Sequence, residues 1–121
     1  KSVEALREAS LEEIAAVPGM NRPAAEAVAS GACERGIVMC TTGIGVSICA
    51  NKVRGIRCAL CTDETMARLT REHNDSNMLA LGGRIVGVEL AKAIVSTWLT
   101  TDFSKGTRHI GRIGKIEKYE A

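Results

Sequence analysis

The feature that most restricts this chain is a change of period at Gly36. Beyond it, short continuous apolar runs at 37–40, 56–61 and 78–81 alternate with stretches of helical spacing. A short apolar run without polar alternation is what a strand covered on both faces requires. The helical stretches are 46–53, a segment capped by Asp63 and running to about 71, and 87–100. The last of these places Val88, Ala91, Ile94, Val95 and Trp98 on one face. Strand and helix thus alternate three times, which predicts an α/β fold: a three-stranded parallel sheet with flanking helices, half of a flavodoxin- or Rossmann-like layout. So thin a sheet leaves the outer edge of its first strand open, and self-association into a homodimer is expected to cover it.

Residues 1–30 have a different texture and read as short helices. Ser2 can cap a first helix. Ser10 and Glu13 form a capping box for a second. Val17-Pro18-Gly19-Met20-Asn21 is a tight connection, and a third helix over 24–30 ends at Gly31. The expected organisation is a helical segment at 1–30 and an α/β segment at 31–121, with the helix 24–30 shared. Residues beyond 100 read as a basic tail in which Ile110, Ile113 and Ile116 recur at helical or docking spacing.

Charge narrows the partners. The net charge of +2 gives no general pull on nucleic acid. Residues 1–30 carry three basic and five acidic side chains, and 104–121 carry five basic and two acidic, so a small anion suits the basic end. The only aromatic residues are Trp98, Phe103 and Tyr119, which leaves 1–97 without a base-stacking platform. No apolar run approaches the roughly 18–20 residues of a membrane span. No signal-peptide pattern opens the chain, so a cytoplasmic location with five reduced cysteines is expected. Cys58 and Cys61 have CxxC spacing, but inside a predicted strand they point to opposite faces. They therefore read as inert buried thiols, with neither metal nor cofactor implied.

Cys40-Thr41-Thr42-Gly43-Ile44-Gly45 follows a strand and opens a helix. Backbone amides in such a turn favour an anion or a developing oxyanion, and α/β sheets place their chemistry at strand C-terminal ends.

With Gly36–Gly45, the segment 47–57, Arg71-Glu72-His73-Asn74-Asp75, Leu79-Ala80-Leu81-Gly82-Gly83-Arg84 and Arg108-His109-Ile110-Gly111-Arg112, residues 31–116 closely resemble ribose-5-phosphate isomerase B and its galactose-6-phosphate isomerase relatives. The resemblance implies aldose–ketose isomerisation of a sugar phosphate through an enediolate, without a metal. It assigns Cys40 as the base, with Thr42, Gly43 and Gly45 lining the oxyanion pocket. His73 would assist ring opening, Asn74 would bind hydroxyls, and Arg108 and Arg112 would hold the phosphate. It also implies a dimer with sites at the subunit interface. A thiolate suits the first role if amides or cations lower its pKa, and arginine grips phosphate bidentately. Thr41 stands where the family usually has glycine. The family's opening strand, with its Asp-His pair, has no counterpart; the only histidines are His73 and His109.

In that place residues 2–28 resemble a helix-hairpin-helix, most closely the C-terminal one of excinuclease subunit UvrC. There the hairpin amides, here Gly19, Met20 and Asn21, would meet a DNA phosphate. The acidic balance of this segment disfavours that role. The expectation drawn from two unlike halves is an engineered, recombined chimera without a biological role of its own, retaining part of a sugar-phosphate site that takes a phosphate or sulfate anion. The alternatives are an active ribose 5-phosphate/ribulose 5-phosphate isomerase with Cys40 as base, and a weak DNA-backbone-binding module.

Overall fold

The structure, a computed structural model, describes residues 21–120. The element order is α1 (Asn21–Ala29), β1 (Gly36–Cys40), α2 (Ile44–Ala50), β2 (Cys58–Leu60), α3 (Glu64–Asn74), β3 (Met78–Gly82), α4 (Val88–Thr100) and α5 (Thr107–Glu117). The strands form one sheet in the order β1-β3-β2, with both pairings parallel. Cys40 is in register with Gly82, so β1 and β3 end at the same level.

β3 is the central strand, and all five of its residues are buried. Its alternation divides the core in two. Met78 and Ala80 join Ala25 and Val28 of α1, Val38 of β1 and Ala50 of α2. Leu79 and Leu81 face the other way and join Ala67 of α3 with Ile94 and Trp98 of α4. The result is a three-layer stack with α1 and α2 on one face and α3 and α4 on the other. Cys58 packs on the first face and Cys61 on the second, as strand alternation requires. α1, the helix expected to be shared between the two segments, packs its Ala25 and Val28 into the first cluster.

Several elements differ from their sequence-based expectations. The strand expected over 56–61 shortens to three residues. Asn77 Oδ1 takes the Arg57 amide at 2.8 Å, and the Arg57 carbonyl accepts the Asn77 amide at 3.0 Å. The helix expected over 46–53 starts earlier and stops at Ala50. Asn51 then turns its side chain onto the outer edge of β2, accepting from Cys58 N at 2.8 Å and donating to Cys58 O at 2.9 Å. That side chain occupies backbone groups a further strand would need. Val88, placed on the apolar face of the last long helix, is 61% exposed because it opens α4. The basic tail forms α5, which packs on α3.

Arg71 is 5% exposed and ties the layers together. It donates to Asp75 at 2.8 Å, to the Ser76 carbonyl at 2.6 Å and to the Thr101 carbonyl at 3.0 Å. Ser76 Oγ in turn accepts Trp98 Nε1 at 2.9 Å, and Arg35 donates to the Trp98 and Leu99 carbonyls at 3.0 and 3.1 Å, ending α4. A buried indole nitrogen without that acceptor would be costly. Among the described residues no helix is long and apolar enough to cross a membrane, and no cluster of ligating side chains could hold a metal ion.

Trp98→Phe removes volume from the closed second cluster and leaves the Ser76 hydroxyl unpaired. It is expected to lower unfolding free energy by about 2–4 kcal/mol, read by urea titration. A loss within experimental error would show that the α4 packing is dispensable.

Candidate active site

Cys40 closes β1, and the chain leaves the sheet through Thr41, Thr42 and Gly43 before α2 begins. Gly83 N–H donates to the Cys40 carbonyl at 2.8 Å, and Arg84 N–H donates to the Thr41 carbonyl at 3.0 Å. These bonds lash the loop to the turn after β3. Gly43 has φ +80°, and a Cβ there would stand 2.5 Å from Leu60 Cδ1 and 2.8 Å from the Leu81 carbonyl carbon. A Cβ on Gly82 would stand 2.5 Å from the Thr42 carbonyl oxygen. Glycine at both positions is therefore a condition of the close approach, not only of the turn.

The loop wraps the thiol. Gly43 N–H donates to Cys40 Sγ at 3.1 Å, and Thr42 Oγ1 accepts Ile44 N–H at 3.2 Å. Burial pushes the Cys40 thiol up. Hydrogen bonds from the amides of Val46, Thr42 and Gly43 and from the Thr42 hydroxyl outweigh it and hold the group below the ordinary cysteine range. The other itemised thiols move oppositely. Burial pushes Cys58 up to about 12, with Cys61 adding to it, and pushes Cys61 up to about 11, with Asp63 adding to it. Cys40 is thus prepared as a base or nucleophile where Cys58 and Cys61 are not. Gly45, expected to line the same pocket, lies exposed in the first turn of α2, with open space where a Cβ would be.

The remaining expected site residues lie elsewhere. His73 and Asn74 end α3, which runs antiparallel to the strands and stops just before Met78 opens β3. The length of β3 separates that level from Cys40, roughly 13 Å at the rise of an extended chain. Arg108 and Arg112 project from α5 on the His73 side, one helical turn apart and both exposed. The structure therefore brings together Cys40, Thr42 and Gly43 at one end of the sheet, and His73, Asn74, Arg108 and Arg112 towards the other.

The second group has its own scaffold. The His73 and His109 rings stack with centroids 4.3 Å apart and planes 14° apart. Ser104 Oγ donates to the Glu72 carbonyl at 2.6 Å, fixing the approach to α5. Arg57 donates to the carbonyls of Asn74 and Asp75 at 2.9 and 3.0 Å and lies 3.5 Å from the Glu117 carboxylate, so it clamps the end of α3 to α5. Arg57, Arg84 and His109 belong to the motifs quoted from the sequence, which assign them no role. The unusual tandem of Arg108, His109 and Arg112 was visible there; the stack with His73 was not. A cavity of about 850 Å³ also opens along β2, lined by Leu60, Met66, Leu69 and Ile116 among others. It does not reach Cys40; its lining includes the two raised thiols and also His73 and Asn74, so it adjoins the second group of expected site residues and not the thiol loop.

Of the DNA-contacting hairpin expected at Gly19, Met20 and Asn21, the first two residues lie outside the described residues, as does most of the expected helix-hairpin-helix at 2–28. Asn21 is the first residue of α1.

Comparison with known proteins decides between the expected chimera and a single lineage. The family described as Ribose/Galactose Isomerase matches residues 2–116. The putative sugar phosphate isomerase YwlF of Bacillus subtilis is 59% identical over 98 residues, covering 81% of this chain and 65% of that protein. D-erythrulose-4-phosphate isomerase 2 of Mycolicibacterium smegmatis is 35% identical over 119 residues, covering 98% of this chain and 78% of that protein. The solved ribose-5-phosphate isomerase B of Clostridium thermocellum superposes with a TM-score of 0.81 at 58% identity, over 84% of this chain and 68% of that one. The chain thus spans about two-thirds of the length of several proteins it resembles. The expectation of a recombined chimera without a role of its own is overturned, because one family's pattern runs through the supposed seam from residue 2 onward. The chain belongs to the ribose/galactose isomerase family.

Proposed function

We propose that this chain is an aldose–ketose isomerase of sugar phosphates, with ribose 5-phosphate and ribulose 5-phosphate as its pair. The observation that carries the reading is the Cys40 thiol, lowered by amide and hydroxyl hydrogen bonds at the C-terminal end of β1, in a chain so similar to sugar-phosphate isomerases. In this mechanism the Cys40 thiolate takes the proton from C2 of the open aldose and returns it to C1. The loop amides around Thr42 and Gly43 stabilise the enediolate oxygen between the two transfers. Arg108 and Arg112 grip the phosphate, Asn74 bonds a hydroxyl, and His73 moves the protons of ring opening.

These roles require the two ends of the sheet to meet, and one chain keeps them apart. A second copy resolves this, with its His73, Asn74, Arg108 and Arg112 set against the Cys40 loop. The surface beside the loop supports the idea. Ile44 and Ile48 on α2 are 51% and 55% exposed, and Ile85 in the turn after β3 is 57% exposed. Apolar side chains gathered this way are typical of a contact between copies. Arg84, bound through its backbone to Thr41, stands at the same junction and is proposed as a further substrate contact.

Purified chain is expected to isomerise ribose 5-phosphate, and Cys40→Ala is expected to lose about 10²–10⁴-fold in kcat. A cooperatively folded sample with no turnover would reject the reading. Mixing Cys40→Ala with His73→Gln after subunit exchange is expected to restore about one quarter of wild-type activity, because half the dimers are mixed and each holds one intact site. No recovery, with exchange verified by mass, would place both groups in sites within single chains.

Alkylation gives an independent check on the base. With iodoacetamide, Cys40 is expected to react at lower pH than Cys58 or Cys61, its rate rising as pH passes its lowered pKa. Thr42→Val is expected to move that rise to higher pH, read by residue-resolved mass spectrometry. An unchanged profile would remove the hydroxyl from the account.

A further inference from the structure

We propose that phosphate bound between Arg108 and Arg112 loads a proton onto His109, the ring stacked on His73, so that binding of the substrate's own phosphate is linked to proton uptake at that ring. The inference rests on the phosphate role given above to the two arginines and concerns what that binding does next.

The geometry is the starting point. The two rings lie face to face with centroids 4.3 Å apart, so a proton on one opposes a proton on the other. His109 sits between Arg108 and Arg112 on α5. Neither arginine has an ion-pair partner among the described residues. The other charged neighbours do not offset this. On α3 Glu72 holds Arg68 at 3.1 Å, and Asp75, which caps that helix, holds Arg71 at 2.8 Å. The loop before α5 adds a further cation, Lys105. Burial, His73, Arg108 and Arg112, in that order, keep His109 below the ordinary histidine range.

A phosphate monoester brings about 1.5–2 negative charges at neutral pH. Seated on the two arginines, it cancels the charges that now disfavour a proton on His109. Proton uptake and phosphate binding are then linked, each favouring the other. The proton comes from solvent.

The chain has two histidines, so two ring Cε1–H resonances report the whole titration. The experiment follows both by proton NMR over pH, with and without saturating inorganic phosphate, assigned with His73→Gln and His109→Gln. A binding isotherm for phosphate is measured on the same sample. Phosphate is expected to raise the proton affinity of His109 by about tenfold, one unit in its midpoint. Arg108→Met with Arg112→Met is expected to abolish the shift. Phosphate that binds while the His109 midpoint stays put overturns the linkage and leaves the proposed isomerase standing. Absence of any binding removes the phosphate role of the arginines and the linkage together.

Discussion

The burial of β3 is the constraint on which the rest depends. A strand flanked by two others and covered on both faces can carry no polar side chain, and Met78–Gly82 carries none. Its alternating residues divide the core between α1 and α2 on one side and α3 and α4 on the other. Its parallel partners must enter from the same end, which forces each helix between strands to run back across the sheet. The ends of the sheet thereby become chemically different. Loops leave strands at one end, and helices finish at the other.

The thiol loop follows from that arrangement. Because β1 and β3 finish in register, the chain leaving Cys40 passes directly over Gly82. There is no room for a side chain at Gly82 or Gly43, and the backbone amides that close in are those that bond Sγ. Packing and reactivity are here one fact: the close approach that excludes a Cβ also lowers the thiol. Cys58 and Cys61 sit in the same sheet without such a loop, and burial alone governs them.

The second group of polar residues is held by a different device. Arg57 and Arg71 spend their donors on backbone carbonyls at the end of α3, and the histidine stack joins α3 to α5. The two groups of polar residues thus stand at opposite ends of the sheet, which is why the proposed function sets a second copy against the first. The exposed isoleucines beside the Cys40 loop belong to the same logic.

The sequence by itself determined the alternation of strand and helix, the thiol at the end of the first strand, the opposed faces of Cys58 and Cys61, and the family motifs. These are local properties, written in hydrophobic period, turn chemistry and residue order. The unlike texture of 2–28 suggests a separate origin that the family match over residues 2–116 overturns, because resemblance of a short helical segment is a weaker signal than a pattern spanning both halves. Tertiary structure alone decided that β3 is central, that the helically spaced basic tail docks on α3, that His109 stacks on His73, and that Cys40 and His73 lie at opposite ends of the sheet. Each depends on contacts between residues distant in sequence, whose energies come from burial and pairing and leave no mark in local period.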